Sequence, residues 1–314
     1  MKIISGLKQL RKFKNPVVAL GVFDGVHLGH RKILDAAVTK ARSIGGVSIV
    51  LTFWPHPQKE ESLYSLEHRL RLISRLGLDI CIVVNFNKRF AGVMAEDFIK
   101  NVLFKKISAR YIYVGKNFRF GKGAEGNLKT LEKLSKDYNF QLKAFEVARI
   151  NDLPISSTFI RSLIKKGKLS AAGKLLGRPV SILGTVIRGN SLAGRWGFPT
   201  ANINPHHEVI PPAGIYAAKI IYGKKKFNGA CYIGTRPTLA HKRGKTKRPQ
   251  PVHIEAHIFN FNRNIYGKYL EIQFVKRIRK DKKFASSDLL IKQIKKDLFC
   301  AKKLLSPTIH YHKI

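Results

Sequence analysis

A chain of 314 residues, 44% hydrophobic and 10% aromatic, is long enough for two domains with cores of their own and too apolar to stay disordered. No segment approaches the roughly 18 uncharged apolar residues of a membrane helix, and the start, Met1-Lys-Ile-Ile-Ser-Gly-Leu-Lys8, has no apolar core of signal-peptide length. The net charge of +40, from 59 Lys+Arg against 19 Asp+Glu, attracts polyanions without naming one.

The first predicted strand is Val17-Val-Ala-Leu20 and the first predicted helix starts at Arg31, with apolar residues at helical spacing through Lys40. Between them lies Gly21-Val-Phe23-Asp24-Gly25-Val-His27-Leu-Gly29-His30. A strand-to-helix turn presents unpaired backbone N–H groups, and the helix dipole favours an anion there. Two imidazoles and close-approach glycines make it a phosphate site, suited to transfer at phosphorus without a covalent nucleophile. A metal site would need further ligands at suitable spacing, and none is nearby.

Val47–Phe53 reads as the next strand, followed by the rigid loop Trp54-Pro55-His56-Pro57, which sets His56 at a strand end. Ser65–Arg75 is helical, Asp79–Asn85 a strand, Ala95–Phe104 a helix, Arg110–Val114 a strand and Asn127–Leu134 a helix. Buried strands alternating with helices imply an α/β fold with a parallel sheet, helices on both faces and ligands outside the strand carboxyl ends. Gly115-Lys-Asn117-Phe-Arg119-Phe-Gly121 could hold a planar ring and a phosphate, or could be a hairpin tip with core aromatics. Ser156-Ser157-Thr158 starts a short helix, where capping alone explains the hydroxyls; Arg161, one turn on, could clamp a phosphate.

Beyond Gly177-Arg-Pro179 the period changes to short strands at Ser181–Ile187, Gly214–Tyr222, Phe227–Ile233, His253–Phe259 and Tyr269–Val275, an all-β barrel or sandwich. The domain boundary falls near 170–178 and is drawn as 1–172 and 173–314. Gly189-Asn-Ser-Leu-Ala-Gly194-Arg-Trp196 mimics a Walker loop but lacks its Lys, its hydroxyl and a following helix. The glycines remain as a flexible phosphate-side loop. Thr200 and Asn202, in Gly-Phe-Pro-Thr-Ala-Asn, offer oxygen ligands to magnesium. Glu255 alternates with apolar neighbours, so His253, Glu255 and His257 share one face. A carboxylate at a barrel mouth can take a proton from a substrate hydroxyl; a solvent-facing glutamate is the plain alternative. Lys242–Arg248 is a basic loop, and Ser287–Leu298 a final amphipathic helix.

Cys81, Cys231 and Cys300 are far apart and odd in number, so they read as reduced thiols in a cytoplasmic protein. The basic excess is +14 up to residue 160 and +26 after it. Its lysines are scattered through amphipathic segments rather than gathered into an arm, which argues against a dedicated nucleic-acid binder and leaves only non-specific polyanion binding.

In order along nearly the whole chain, the Gly21–His30 signature, Phe53–Pro57, the 115–121 loop, Ile155-Ser-Ser-Thr158, Leu176-Gly-Arg-Pro179, Gly194–Asn202, Gly234-Thr-Arg-Pro-Thr238, Glu255-Ala-His, Ile265-Tyr-Gly267 and Lys283-Phe284 resemble the prokaryotic bifunctional riboflavin kinase/FMN adenylyltransferase family. The resemblance implies a nucleotidyltransferase-like N-terminal domain that adenylylates FMN to FAD, and a six-stranded antiparallel riboflavin kinase barrel with a terminal helix. It implies ATP, riboflavin and FMN as ligands, with Mg2+ accompanying ATP, and requires no membrane or protein partner. His27 and His30 would offset charge at the α-phosphorus, and Glu255 would be the general base on the ribityl hydroxyl. Phe23, Asp24, Gly25, Gly29, Ser157, Thr158, Arg161, Gly189, Gly194, Thr200 and Asn202 would bind ATP. His56, Asn117 and Arg119 would face the flavin, and Thr200 and Asn202 the metal. The family usually has Arg where this chain has Phe159, so a kinase that has lost adenylylation is the second reading. Asn260 replaces a common Asp, and Leu239–Pro251 is longer and more basic than expected.

Overall fold

The computed structural model describes residues 1–57, 61–151, 153–189, 194, 196–206, 208–235 and 252–306. Two compact units result: Met1–Ile160 with Leu175–Gly177, and Arg161–Lys174 with Arg178 onward.

The first unit is a parallel sheet with helices. Its strands are β1 (Lys2–Ser5), β2 (Val17–Leu20), β3 (Ser48–Trp54), β4 (Ile80–Asn85), β5 (Tyr111–Gly115) and β6 (Gln141–Phe145), in the order β1-β4-β3-β2-β5-β6. All five pairings are parallel. β2 and β3 are buried almost throughout, which accounts for their unbroken apolar sequences. After β2 the chain adds β3 and β4 on one side, then returns to place β5 on the other. The order therefore reverses at β2/β5, the kind of switch point outside whose strand carboxyl ends open α/β sheets place their ligands. The loops after β2 and β5 are Gly21–His30 and the loop Gly115–Gly121.

Helices α1 (Leu28–Ser43), α2 (Leu66–Ser74), α3 (Lys88–Ala91), α4 (Ala95–Phe98) and α5 (Leu128–Asp137) connect the strands, and α4 runs on as a π-helical segment, Ile99–Ile107. Ser65 caps α2 by accepting from the His68 amide, and Asn127 with Thr130 forms a capping box on α5. A small ribbon, β7 (Arg149–Ile150) with β8 (Leu153–Pro154), precedes α6 (Ser157–Lys165) and α7 (Leu169–Leu176).

The second unit is a closed antiparallel barrel of β9 (Ser181–Ile187), β10 (Ala201–Asn204), β11 (Gly214–Tyr222), β12 (Lys225–Gly234), β13 (His253–Ile258) and β14 (Tyr269–Lys280), ordered β10-β13-β12-β11-β14-β9. Ala217 and Ala230 lie opposite each other on β11 and β12, and this small-residue floor seats Ala301 and Leu305 of the terminal helix α8 (Ser287–Leu305). Arg279 on β14 grips the carboxylate of Asp297 on α8 through Nε and Nη2 at 2.8–3.0 Å. Removing one partner of so buried a pair costs about 3–5 kcal/mol.

Candidate active sites

The turn after β2 is strained. Phe23 (φ 52°), Gly25 (φ 79°) and Val26 (φ 40°) all take left-handed backbone conformations. For Phe and a β-branched Val this costs about 1–3 kcal/mol each, so the surroundings must hold the turn. Gly25 is required twice over, by its φ and because a Cβ there would lie 2.6 Å from Leu63 Cδ1. Asp24 is buried, its carboxylate accepting from the amides of Leu63 (2.9 Å) and Tyr64 (3.3 Å). Phe23 is buried too, its ring edge-on to His30 at 5.3 Å.

His27 is the N-cap of α1: its Nδ1 accepts from the His30 amide at 3.2 Å. That bond puts the proton of the neutral ring on Nε2. The two imidazoles stack at 3.5 Å between centroids and 17° between planes. His27 is only 5% exposed and His30 is half-buried, so the pair is graded, with an inner capping ring and an outer ring nearer solvent. A Cβ at Gly29 would press on the His27 ring at 3.3 Å.

Ser156 caps α6 by accepting from the Phe159 amide (3.2 Å), while the Ser157 hydroxyl donates to Asp24 O (2.9 Å) and so ties α6 to the turn. Thr158 is exposed, and Arg161 is buried within the second unit. His56 follows the cis Trp54–Pro55 bond and is half-buried. Asn117 and Arg119 are exposed on the loop after β5, whereas Phe120 belongs to the core. Phe118 stacks on Phe120 at 5.6 Å and 12°. Phe53, Phe90, Phe98 and Phe120 then follow at about 6 Å steps, packing the loops after β3 and β5 onto one aromatic core.

In the barrel the Thr200 hydroxyl donates to Glu255 Oε2 at 3.1 Å, and Asn202 lies directly opposite Glu255 in the β10–β13 register. Glu255 thus meets Thr200 and Asn202, neighbours on β10 and its approach that lie more than 50 residues earlier in the sequence. Glu255 is half-buried, with Ile254, Ala256 and Ile258 buried on the opposite face of β13. A Cβ on Gly189 would lie 2.1 Å from the Asn202 amide nitrogen, so only glycine allows Asn202 its position. Gly194 is exposed. Arg195, the 242–248 loop, residues 236–238 of the Gly234 motif and 239–251 lie outside the described residues.

The sequence reading gave His257 a face but no role, and it missed Arg69. His257 Nδ1 is 2.8 Å from Pro199 O and braces the turn that carries Thr200. Arg69, at 0% exposure the largest fully buried side chain, donates from Nη1 to Val22 O (2.6 Å), Thr52 Oγ1 (3.2 Å) and Phe53 O (3.3 Å). Burial lowers the Arg69 pKa and the nearby Asp24 charge opposes that shift. Burial likewise pushes the Cys81 thiol up to about 12. The signal for Arg69 was a charge inside the apolar stripe Leu66, Leu70, Ile73.

Two family models match the chain in order, FAD synthetase over residues 10–159 and riboflavin kinase over 176–305. The bifunctional riboflavin kinase/FMN adenylyltransferase of Buchnera aphidicola subsp. Schizaphis graminum is 36% identical, covering 96% of this chain and 98% of its own. The namesake from Escherichia coli K12 is 33% identical over 98% and 99%. That of Bacillus subtilis 168 is 35% identical over 90% of each. The chain belongs to the bifunctional riboflavin kinase/FMN adenylyltransferase family. A crystal structure from Streptococcus pneumoniae, described as a macrolide-efflux protein, superposes with TM-score 0.79 at 28% identity, covering 95% of this chain and 97% of that one. Among the described residues of this chain no helix is long and apolar enough to cross a membrane. The family assignment carries both activities: phosphorylation of riboflavin to FMN and adenylylation of FMN to FAD.

Proposed function

We propose that the two reactions divide between residues 1–172 and residues 173–314, with Glu255 as general base for the kinase and the His27–His30 turn as the charge-stabilising element for adenylylation. The convergence of Thr200, Asn202 and Glu255 in the barrel carries the first assignment. There the Glu255 carboxylate takes the proton of the ribityl 5′-hydroxyl as its oxygen attacks the γ-phosphorus of ATP and ADP departs. The hydroxyl, amide oxygen and carboxylate form an all-oxygen set, which fits a hard cation such as Mg2+. Thr200 and Asn202 would hold the ion, which neutralises phosphate charge when bound.

Adenylylation needs no base, because the FMN phosphate is already anionic. Its oxygen attacks the α-phosphorus of the second ATP and pyrophosphate leaves. The Nε2–H of His27, the outer His30 ring and the first amides of α1 offer donors for the charge that builds on the non-bridging oxygens. Phe23, Asp24, Gly25 and Gly29 serve this site by shaping the turn, and Ser157 by tying the start of α6 to it; Thr158, next along the first unit, is assigned to the same ATP. In the barrel, Gly189 leaves room for Asn202 and Gly194 lies on the phosphate-side loop. His56, Asn117 and Arg119 line the flavin side. Three free cysteines, two of them buried, support a reducing compartment, the cytoplasm.

The test incubates the pure protein with riboflavin, ATP and magnesium and separates the flavins. FMN and FAD together are expected. FMN alone would mean that Phe159 has cost the second step, and neither flavin would refute the assignment of both sites.

A further inference from the structure

We propose that Arg69 is a positioning residue for adenylyl transfer, a buried guanidinium that holds the strained 21–27 turn and the strand end before the Pro-His-Pro loop in register beneath the nucleotide. The inference rests on assigning adenylyl transfer to the His27–His30 turn.

The turn does not hold itself. Three of its residues are left-handed, and such a backbone persists only where neighbours over-determine it. The neighbours come from α2 and the residues just before it. The Leu63 and Tyr64 amides grip the Asp24 carboxylate from one side. Arg69 Nη1 grips the Val22 carbonyl from below, where the Thr52 hydroxyl also donates at 2.8 Å. The same Nη1 reaches Phe53 O, so one nitrogen ties the carboxyl ends of β2 and β3 together. Those are the ends that carry the histidine turn and His56.

Fold stability alone does not explain a cation here. Arg69 Nε and Nη2 are buried and have no hydrogen-bond partner among the described residues. The Trp54 ring at 5.4 Å and the nearby Asp24 charge face the guanidinium, yet two of its donors stay unpaired, and an apolar side chain of similar volume in place of so buried a cation is often neutral or better. Its place behind a site that receives triphosphate explains it: positive charge in a low-dielectric interior acts on arriving anions with little screening. Arg69 touches no substrate in this scheme; it acts through the turn and through its field.

The experiment compares Arg69→Met and Arg69→Lys with the parent full-length protein. It measures kcat and KM for FMN adenylylation, riboflavin phosphorylation in the same preparation, and the thermal midpoint. Arg69→Met is expected to lower the adenylylation kcat by about tenfold or more, as loss of a charge-stabilising arrangement does. Its kinase rate should stay within about twofold of the parent and its thermal midpoint should not fall. Arg69→Lys, which keeps the charge and one carbonyl contact, should recover most of the loss. An Arg69→Met protein that adenylylates like the parent overturns the proposal. So does a loss that lysine does not recover, or one that tracks a lowered midpoint. A His30→Ala control separates the two levels: if it leaves FAD formation intact, the site assignment itself fails.

Discussion

The two sites are built from different materials. At the end of β2 the parallel sheet supplies a strained turn, helix amides and two stacked rings, and the turn's own carboxylate, Asp24, is engaged by the Leu63 and Tyr64 amides. In the barrel the backbone is regular and the chemistry lies in side chains, with Glu255 half-buried and one hydroxyl away from Thr200. The difference follows the substrates. An alcohol must lose a proton before it attacks phosphorus, whereas a phosphate already carries its charge. The proposed assignment therefore calls for a general base in the kinase step and none in adenylylation.

Substitutions can break this comparison. The largest effect is expected from Glu255→Ala, which should slow riboflavin phosphorylation by about 10²–10⁴-fold, the range for a lost general base. Adenylylation of supplied FMN should be unchanged; equal loss of both reactions in a steady-state assay would show that the units are not separable. Next, His30→Ala should lower FAD formation by about 10²–10³-fold, as removal of a transition-state donor does. FMN formation, followed by flavin chromatography, should persist. Gly189→Ala sharpens the barrel half. Its Cβ would meet the Asn202 amide at 2.1 Å, and displacing that side chain should cost about tenfold in kinase kcat/KM, typical of overpacking a fitted site. The smallest effect belongs to His27→Asn. Asparagine is as good an N-cap as any residue, so stability should move by less than about 0.5 kcal/mol. Any fall in adenylylation then measures the imidazole alone, apart from the cap.

Much of the fold was legible because burial is written into apolar runs. β2, β3 and β4 are sandwiched between helices and read as unbroken hydrophobic strands. The strands that escaped are edges or fragments. β1 buries only Ile4 of its four residues, β6 only Phe145 of its five, and β10 has four residues of which only Ile203 is buried. A strand paired on one side or briefly needs little apolar surface, so it leaves little pattern. The π-helical continuation of α4 was read as part of one α-helix, because the sequence does not show whether each amide bonds four or five residues back.

The residue types of both sites, and the strand-to-helix turn that carries one of them, were determined by the sequence alone: two histidines among glycines, and a glutamate alternating with apolar neighbours. Tertiary structure decided what each side chain is free to do. It turned Asp24 inward to bind amides 39 and 40 residues away, made His27 the N-cap of α1, and brought Thr200 to Glu255 across 55 positions. It also put Arg69 under the turn, where a helical pattern alone shows only a charge out of place. Local sequence sets backbone preference and side-chain chemistry; hydrogen-bond partners distant along the chain exist only once the strands have chosen their neighbours.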